Sequence, residues 1–174
     1  MSKKRKKEFS QLYDQHIDKI YRYVFLKVGA REAAEDISSE VFTKSWRKFK
    51  NGLEIKNASA YLYQVARAEI ANHYRSTKKV QVVSTDNLPV ADNADNPEDI
   101  QIKQADIYNL RLRLRDLKED YQDILIWRYV DGLSNEEIAK MQNKTEGAVR
   151  VTLHRAIAQL KEKMSDKWPE TLFV

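Results

Sequence analysis

Apolar residues recur along this chain at the three-and-four spacing of helices packed on one side, and polar turns divide the pattern into two blocks. In the first block, Glu8 to Val28 carries Phe9, Leu12, Tyr13, Ile17, Ile20, Tyr21, Val24 and Leu26, spaced to bury one broad face, and Gly29 ends it. A second stretch, about Arg31 to Phe49, turns Ala34, Ile37, Val41, Phe42, Ser45 and Phe49 inward and Glu32, Asp36, Glu40, Thr43 and Arg47 outward. After the Asn51-Gly52 turn and a polar stretch, Ser59 is placed to cap a third helix reaching about Ser76. The second block predicts a helix over Ala105–Leu117, with Ile107, Leu110, Leu114 and Leu117 inward, and another over Tyr121–Val130, apolar at Ile124, Leu125, Trp127 and Val130.

The most informative pattern follows, from Asp131 to Leu160. Gly132-Leu133-Ser134 breaks one helix, and Ser134 and Glu137 have the spacing of a capping box that starts the next. That short helix turns Ile138, Ala139 and Met141 inward. A polar turn, Gln142-Asn143-Lys144, leads to Thr145, a good N-cap for a longer helix. At about 100° per residue, Val149, Leu153, Ala156 and Leu160 share one face of that helix, and Arg150, Val151, His154, Arg155 and Ala158 share the other. This is a helix-turn-helix pattern. Arginine can take guanine bidentately, and an apolar side chain can meet a thymine methyl in the major groove. The same helix also reads as an ordinary amphipathic element with a solvated basic face.

Between the blocks, Val80–Gln104 contains Pro89, Pro97 and a run of Asp, Asn and Ala without helical period, which reads as a linker. Fully extended, it reaches at most ~85 Å, enough to let two domains dock at separate places. The expected organisation is therefore all-α, with helical domains over 8–79 and 105–165 joined by an acidic, flexible linker over 80–104.

Charge sharpens this division. Residues 1–79 hold 18 Lys/Arg against 9 Asp/Glu, residues 80–104 hold 1 against 5, and residues 105–174 hold 12 against 12. A basic first block suggests a polyanionic partner. Its third helix alternates aromatic and basic residues: Tyr61, Tyr63, Arg67, His73, Tyr74 and Arg75, then Lys78 and Lys79. Cations can follow a nucleic-acid backbone while rings stack on unpaired bases. Tyr61 and Tyr63 can equally pack in the core.

Other chemistry is poorly supported. The absence of cysteine removes thiolate nucleophiles and disulfides and fits a reducing cytoplasm. His16, His73 and His154 lie far apart with no metal-ligand spacing, and no glycine loop is arranged to cradle phosphate. No cofactor, no metal and no enzymatic activity are expected. No apolar run approaches the roughly 20 residues of a membrane span, and MSKKRKKEF has no apolar segment of a secretory signal.

Three segments in order resemble a bacterial sigma factor of the extracytoplasmic-function (ECF) group: Ala33–Phe49, Ala60–Arg75 and the run from Leu117 to Leu160. The resemblance covers about Glu8 to Met164. It implies sigma domain two in the first block and sigma domain four in the second. By that resemblance, Glu35, Asp36, Glu40 and Arg47 would dock on core RNA polymerase. The loop 51–58, with Asn51, Lys56 and Asn57, would capture a base flipped from the −10 element. Tyr61, Arg67, Arg75, Lys78 and Lys79 would hold the melted strand. Lys144, Thr145, Arg150, Val151, His154 and Arg155 would read the duplex −35 element. The linker would thread toward the polymerase cleft, and an anti-sigma factor wedged between the domains would be a further partner.

The chain departs from the family pattern at Ala68 (usually Asn), Asn72 (often Asp), Tyr61 (Trp in many members), Lys118 (usually Pro), Val151 (often Ser) and Thr152 (frequently basic). Its promoter preference is therefore not transferable from another member. Two further readings stand beside this one: a free-standing helix-turn-helix regulator that acts without core polymerase, and a helical adaptor that binds only protein.

Overall fold

The computed structural model describes residues 3–81 and 110–164, the side chains of residues 79–81 excepted. All regular structure among the described residues is helical. The chain forms two compact units, divided near residue 95.

The first unit is three helices, α1 (Lys3–Val28), α2 (Arg31–Lys50) and α3 (Ala58–Gln81). α1 begins a full turn before the expected Glu8, because the lysine run is itself a good helix former. It ends where Gly29 takes φ 75°, the left-handed backbone that lets α2 fold back against it. Ile20, Tyr23, Val24, Ala34, Val41, Leu62 and Ala66 are fully buried between the three helices. Tyr23 and Tyr63 meet edge to face at 5.2 Å across α1 and α3, and Tyr63 is 2% exposed, so this ring is a core residue. Tyr13 is otherwise: expected inward, it is 41% exposed and only leans its edge on Phe42.

α3 corrects two expectations. Its N-cap is Asn57, whose Oδ1 accepts from the Ala60 N–H at 3.0 Å. Ser59 lies inside the first turn, with its hydroxyl 3.3 Å from Nε2 of His16 on α1. Asparagine two residues earlier wins because capping demands a non-helical backbone, which the polar loop supplies. The helix also continues past Ser76 to Gln81, through lysines and a glutamine that favour helix and carry no breaker. It thereby takes in the first residues of the expected linker. The rest of that linker, the start of the expected helix Ala105–Leu117 and the tail after Met164 lie outside the described residues.

The second unit contains the helical residues 110–115 (α4), then α5 (Glu119–Leu125), α6 (Asn135–Gln142) and α7 (Glu146–Lys163). α5 runs directly into a π-helical turn, Ile126–Val130, where the expected helix to Val130 widens. Its closing bond is Asp131 N–H to Ile126 O at 2.9 Å, five residues back. Gly132, at φ 70°, then turns the chain toward α6.

Both halves of the capping box form: Ser134 Oγ accepts from Glu137 N–H at 3.1 Å, and Glu137 Oε2 accepts from Ser134 N–H at 2.7 Å. α6 stops at Asn143, the one non-glycine residue with positive φ (52°) among those described. There the Lys144 N–H reaches back to Ala139 O at 2.9 Å. Thr145 Oγ1 then caps α7 by accepting from Ala148 N–H at 3.2 Å. Ile138 and Ala139 of α6 are buried and α6 packs against α7, while Met141 is only half-buried.

Replacing Ser134 with Ala removes one side of the capping box. It should cost about 1 kcal/mol of the second unit's stability, a fall of roughly 4–8 °C in its melting temperature. Calorimetry reads this directly, and an unchanged transition would show that the box does not hold α6.

Candidate nucleic-acid interface

Two faces gather the residues singled out from the sequence, one on each unit. On α7, burial of Val149, Leu153, Ala156 and Leu160 turns Arg150, Val151, His154 and Arg155 to solvent. Val151 is 50% exposed, an apolar side chain left bare among cations. Arg150 lies 3.9 Å from Glu146 one turn earlier, a long and solvent-screened pair. Lys144 and Thr145 are exposed at the start of the helix, but the Thr145 hydroxyl is already engaged as a cap. Thr152 is half-buried and donates to Ala148 O at 2.8 Å, so it is turned back onto its own helix.

The face on the first unit is built by α2, α3 and the loop between them. Asn51 closes α2, Gly52 follows at φ 106°, and Lys56 and Asn57 are exposed at the far end of the loop. Asn57 spends its carbonyl oxygen on the cap, which leaves the amide N–H groups of this exposed residue as its remaining donors. Tyr61 and Arg67 are half-buried on α3. Arg75 is exposed and hydrogen-bonds Asn72 Oδ1 and, at 3.4 Å, Ala71 O. Lys78 is exposed, and the side chain of Lys79 lies outside the described residues.

Tyr61 and Arg47 come together here. Both line a cavity of about 450 Å³ between α2 and α3, with Lys44, Lys48, Gln64, Val65, Ala68 and Glu69. The Tyr61 hydroxyl is buried without a hydrogen-bond partner. Lys44 holds the wall of this cavity. Its ammonium donates to Glu69 on α3 at 2.7 Å and lies 3.5 Å from Glu40 on its own helix. The hydrogen bond it donates to Glu69 raises the Lys44 pKa above its ordinary 10.5. Sequence reasoning found Glu40 but not this pair, since nothing in a sequence relates positions 44 and 69.

The remaining polymerase-facing candidates lie along α2. Glu35 and Asp36 are exposed and Glu40 is half-buried. Glu35 pairs with Arg31 at 2.9 Å. Glu35 also borders a groove of about 440 Å³ between α1 and α2, floored by Tyr13, Tyr21, Phe42 and Trp46. Ser38 in that groove is 2% exposed, and its hydroxyl has no partner. The groove was missed because its rings carry the spacing of a core face.

Comparison with known proteins places the chain in a family. Residues 12–80 match the model for sigma-70 region 2, and residues 107–160 match the model for sigma-70 region 4. SigD of Mycobacterium tuberculosis, an ECF RNA polymerase sigma factor, is 32% identical over 154 residues, covering 83% of this chain and 71% of SigD. The chain belongs to the ECF RNA polymerase sigma factors. Transcription initiation is therefore the process it serves.

Other relatives agree. BldN of Streptomyces coelicolor, named an ECF RNA polymerase sigma factor, is 30% identical over 91% of this chain, which spans 61% of BldN's own length. The RNA polymerase sigma factor YlaC of Bacillus subtilis is 29% identical over 93% of this chain and 95% of YlaC. Among solved structures, the fold matches the sigma factor RpoE of Bartonella quintana in complex with the anti-sigma factor NepR. The TM-score is 0.62 at 21% identity, covering 92% of this chain and 99% of that one. CnrH, solved with the cytosolic domain of CnrY, matches with a TM-score of 0.66 at 15% identity, over 93% of this chain and 91% of that one.

The Lys44–Glu69 pair yields a test of how the sigma factor holds its cavity. Lys44→Gln should cost about 1 kcal/mol, a charge-assisted bond discounted for partial exposure. The double variant Lys44→Gln/Glu69→Gln should recover part of that loss. Because the Lys44 pKa is raised, its contribution is whole below about 10.5 and is lost only as pH rises through the raised value. Chemical denaturation at pH 7, and at a pH well above 10.5, checks both.

Proposed function

We propose that this sigma factor binds core RNA polymerase and brings it to a two-part promoter, each of its units reading one part. The −35 element is read as duplex by α7. Arg150 and Arg155 contact guanine edges or phosphates, Val151 meets a thymine methyl, His154 adds a polar contact, and Lys144 and Thr145 position the helix start. The observation that carries this is the bare Val151 between exposed cations on a helix whose opposite face is fully occupied. A solvated basic face has no need of an exposed valine; a major groove has a use for it.

In the first unit, the loop with Asn51, Lys56 and Asn57 receives a base from the −10 element, and Tyr61 and the cavity beside it compensate for its unstacking. Arg67, Arg75, Lys78 and Lys79 follow the backbone of the opened strand. Ala68 leaves the cavity wide where the resemblance implies a larger amide, so the −10 preference is its own. Glu35, Asp36 and Glu40 dock on polymerase, and Arg47 bridges that surface to the cavity. An anti-sigma factor acts by covering these faces. The sigma factor makes and breaks no covalent bond, and it works in the cytoplasm beside the polymerase. No described helix is long and apolar enough to cross a membrane.

In-vitro transcription with core RNA polymerase on a fragmented genomic template pool tests the reading. Start sites that depend on the added chain would support it and define the promoter. DNA binding without polymerase binding would hand the case to a free-standing regulator. On a promoter so mapped, Arg150→Ala or Arg155→Ala should weaken −35 recognition by about 1–3 kcal/mol where the contact is bidentate to guanine. Binding to core polymerase should not change in either variant.

A further inference from the structure

The first two turns of α1 carry Lys3, Lys4, Arg5, Lys6 and Lys7 before the first carboxylate, Glu8. A helix N-terminus already holds about half a positive charge, so acidic residues stabilise it and cations oppose it. The first turn of α1 contains no acidic residue. This run is therefore placed against the electrostatics of its own helix. The sigma-70 region 2 match begins only at residue 12, so it does not account for the run.

The run is held in a defined place. The Arg5 guanidinium stacks over the Phe49 ring, 5.0 Å from its centroid, and Phe9 one turn later meets the same ring at 5.6 Å. Phe49 lies in the last turn of α2, two residues before Asn51 and the loop assigned to the −10 base. That turn adds Arg47, Lys48 and Lys50, all exposed. With Arg5 turned toward the ring, Lys3 and Lys7 fall together on the side of α1 away from it, and Lys6 falls on the flank. All three are exposed.

We infer that the basic start of α1 is a phosphate-binding arm that grips the DNA backbone beside the −10 element. This inference rests on the sigma reading and extends its DNA surface onto a helix outside the assigned set. Polyanion is the ligand chemistry that both accepts these cations and relieves their repulsion with the helix end. Over Lys3 to Lys7 the helix rises about 6 Å, enough to meet about two successive phosphates.

The test uses the full chain in holoenzyme with core polymerase, on a promoter mapped as above. The variant is Lys3→Gln/Lys6→Gln/Lys7→Gln, which keeps Arg5 and replaces lysine with a residue of similar helix propensity. The slope of log affinity against log salt should become shallower by about 2. Melting temperature should stay level or rise, because like charge is removed from the helix end. A run that served only the fold would lower it.

A photo-cross-linker in place of Lys7 should mark promoter DNA within about one helical turn of the captured base. An unchanged salt slope, or cross-links to polymerase alone, would overturn the arm and leave the sigma reading standing. Failure of the unaltered chain to direct any transcription would instead remove the sigma reading, and the arm with it.

Discussion

The azimuth of each helix about its own axis is the constraint on which the rest of this structure depends. Val149, Leu153, Ala156 and Leu160 recur every three to four residues and are buried together, so α7 has one admissible rotation. Each buried Val or Leu contributes about 1.5–3 kcal/mol. Turning the helix by one residue would exchange Val149 for Arg150 and place an unpaired guanidinium in the core. The outward set then follows without further choice. On α2 the same logic buries Ala34, Ile37, Val41 and Phe42 and leaves Glu35, Asp36 and Arg47 outside. Cap residues fix the remaining freedom, translation along the axis, by deciding where each helix begins.

Electrostatics is used differently in different places. Where charges must hold geometry they have a fixed partner: Lys44 pairs with Glu69 across α2 and α3, and the Glu137 carboxylate accepts from the Ser134 N–H at one helix end. Where they face outward, pairs are long or intrahelical, as Arg150 with Glu146 and Lys140 with Glu136. Exposed pairs of that kind are worth little in water and separate at little cost. A face that must accept phosphate gains from cations that are not committed elsewhere. The outward pair of α7 is of this exposed kind, while the wall of the α2–α3 cavity is held by Lys44 and Glu69.

What the sequence made legible was periodic or local. The inward set of α7, the capping box and the N-cap at Thr145 depend on residues within a few positions of one another, and the structure contains each of them. Glycine at 29 and 132 marked turns because only a left-handed backbone reverses the chain so tightly, and both have positive φ. What was not legible depends on which helices meet. Tyr63 could stack on a base or pack inside, and only the approach of Tyr23 from α1 decides for the core. Lys27, charged and near a helix end, is 8% exposed, with its ammonium 5.6 Å from the centroid of the Tyr23 ring. Glu69 and the cavity it borders belong to the same class.

The turn before α6 shows why periodicity fails where it does. A uniform α-helix to Val130 would keep turning 100° per residue, but the Ile126–Val130 segment takes one extra residue into its turn. Ile126 and Trp127 are consequently buried side by side, while Tyr129 and Val130, 43% and 36% exposed, are carried outward. The widened turn also brings the Arg128 guanidinium to Leu133 O at 3.0 Å, and the Leu133 N–H to Trp127 O at 2.9 Å. These bonds tie the glycine turn to the helix before it, so Ser134 emerges in a fixed position to cap α6. The cap of α6 sets the position of α6, and α6 supports the buried face of α7. The placement of α7 thus depends in part on the widened turn at Ile126–Val130, at a place where the apolar pattern alone predicts a straight helix.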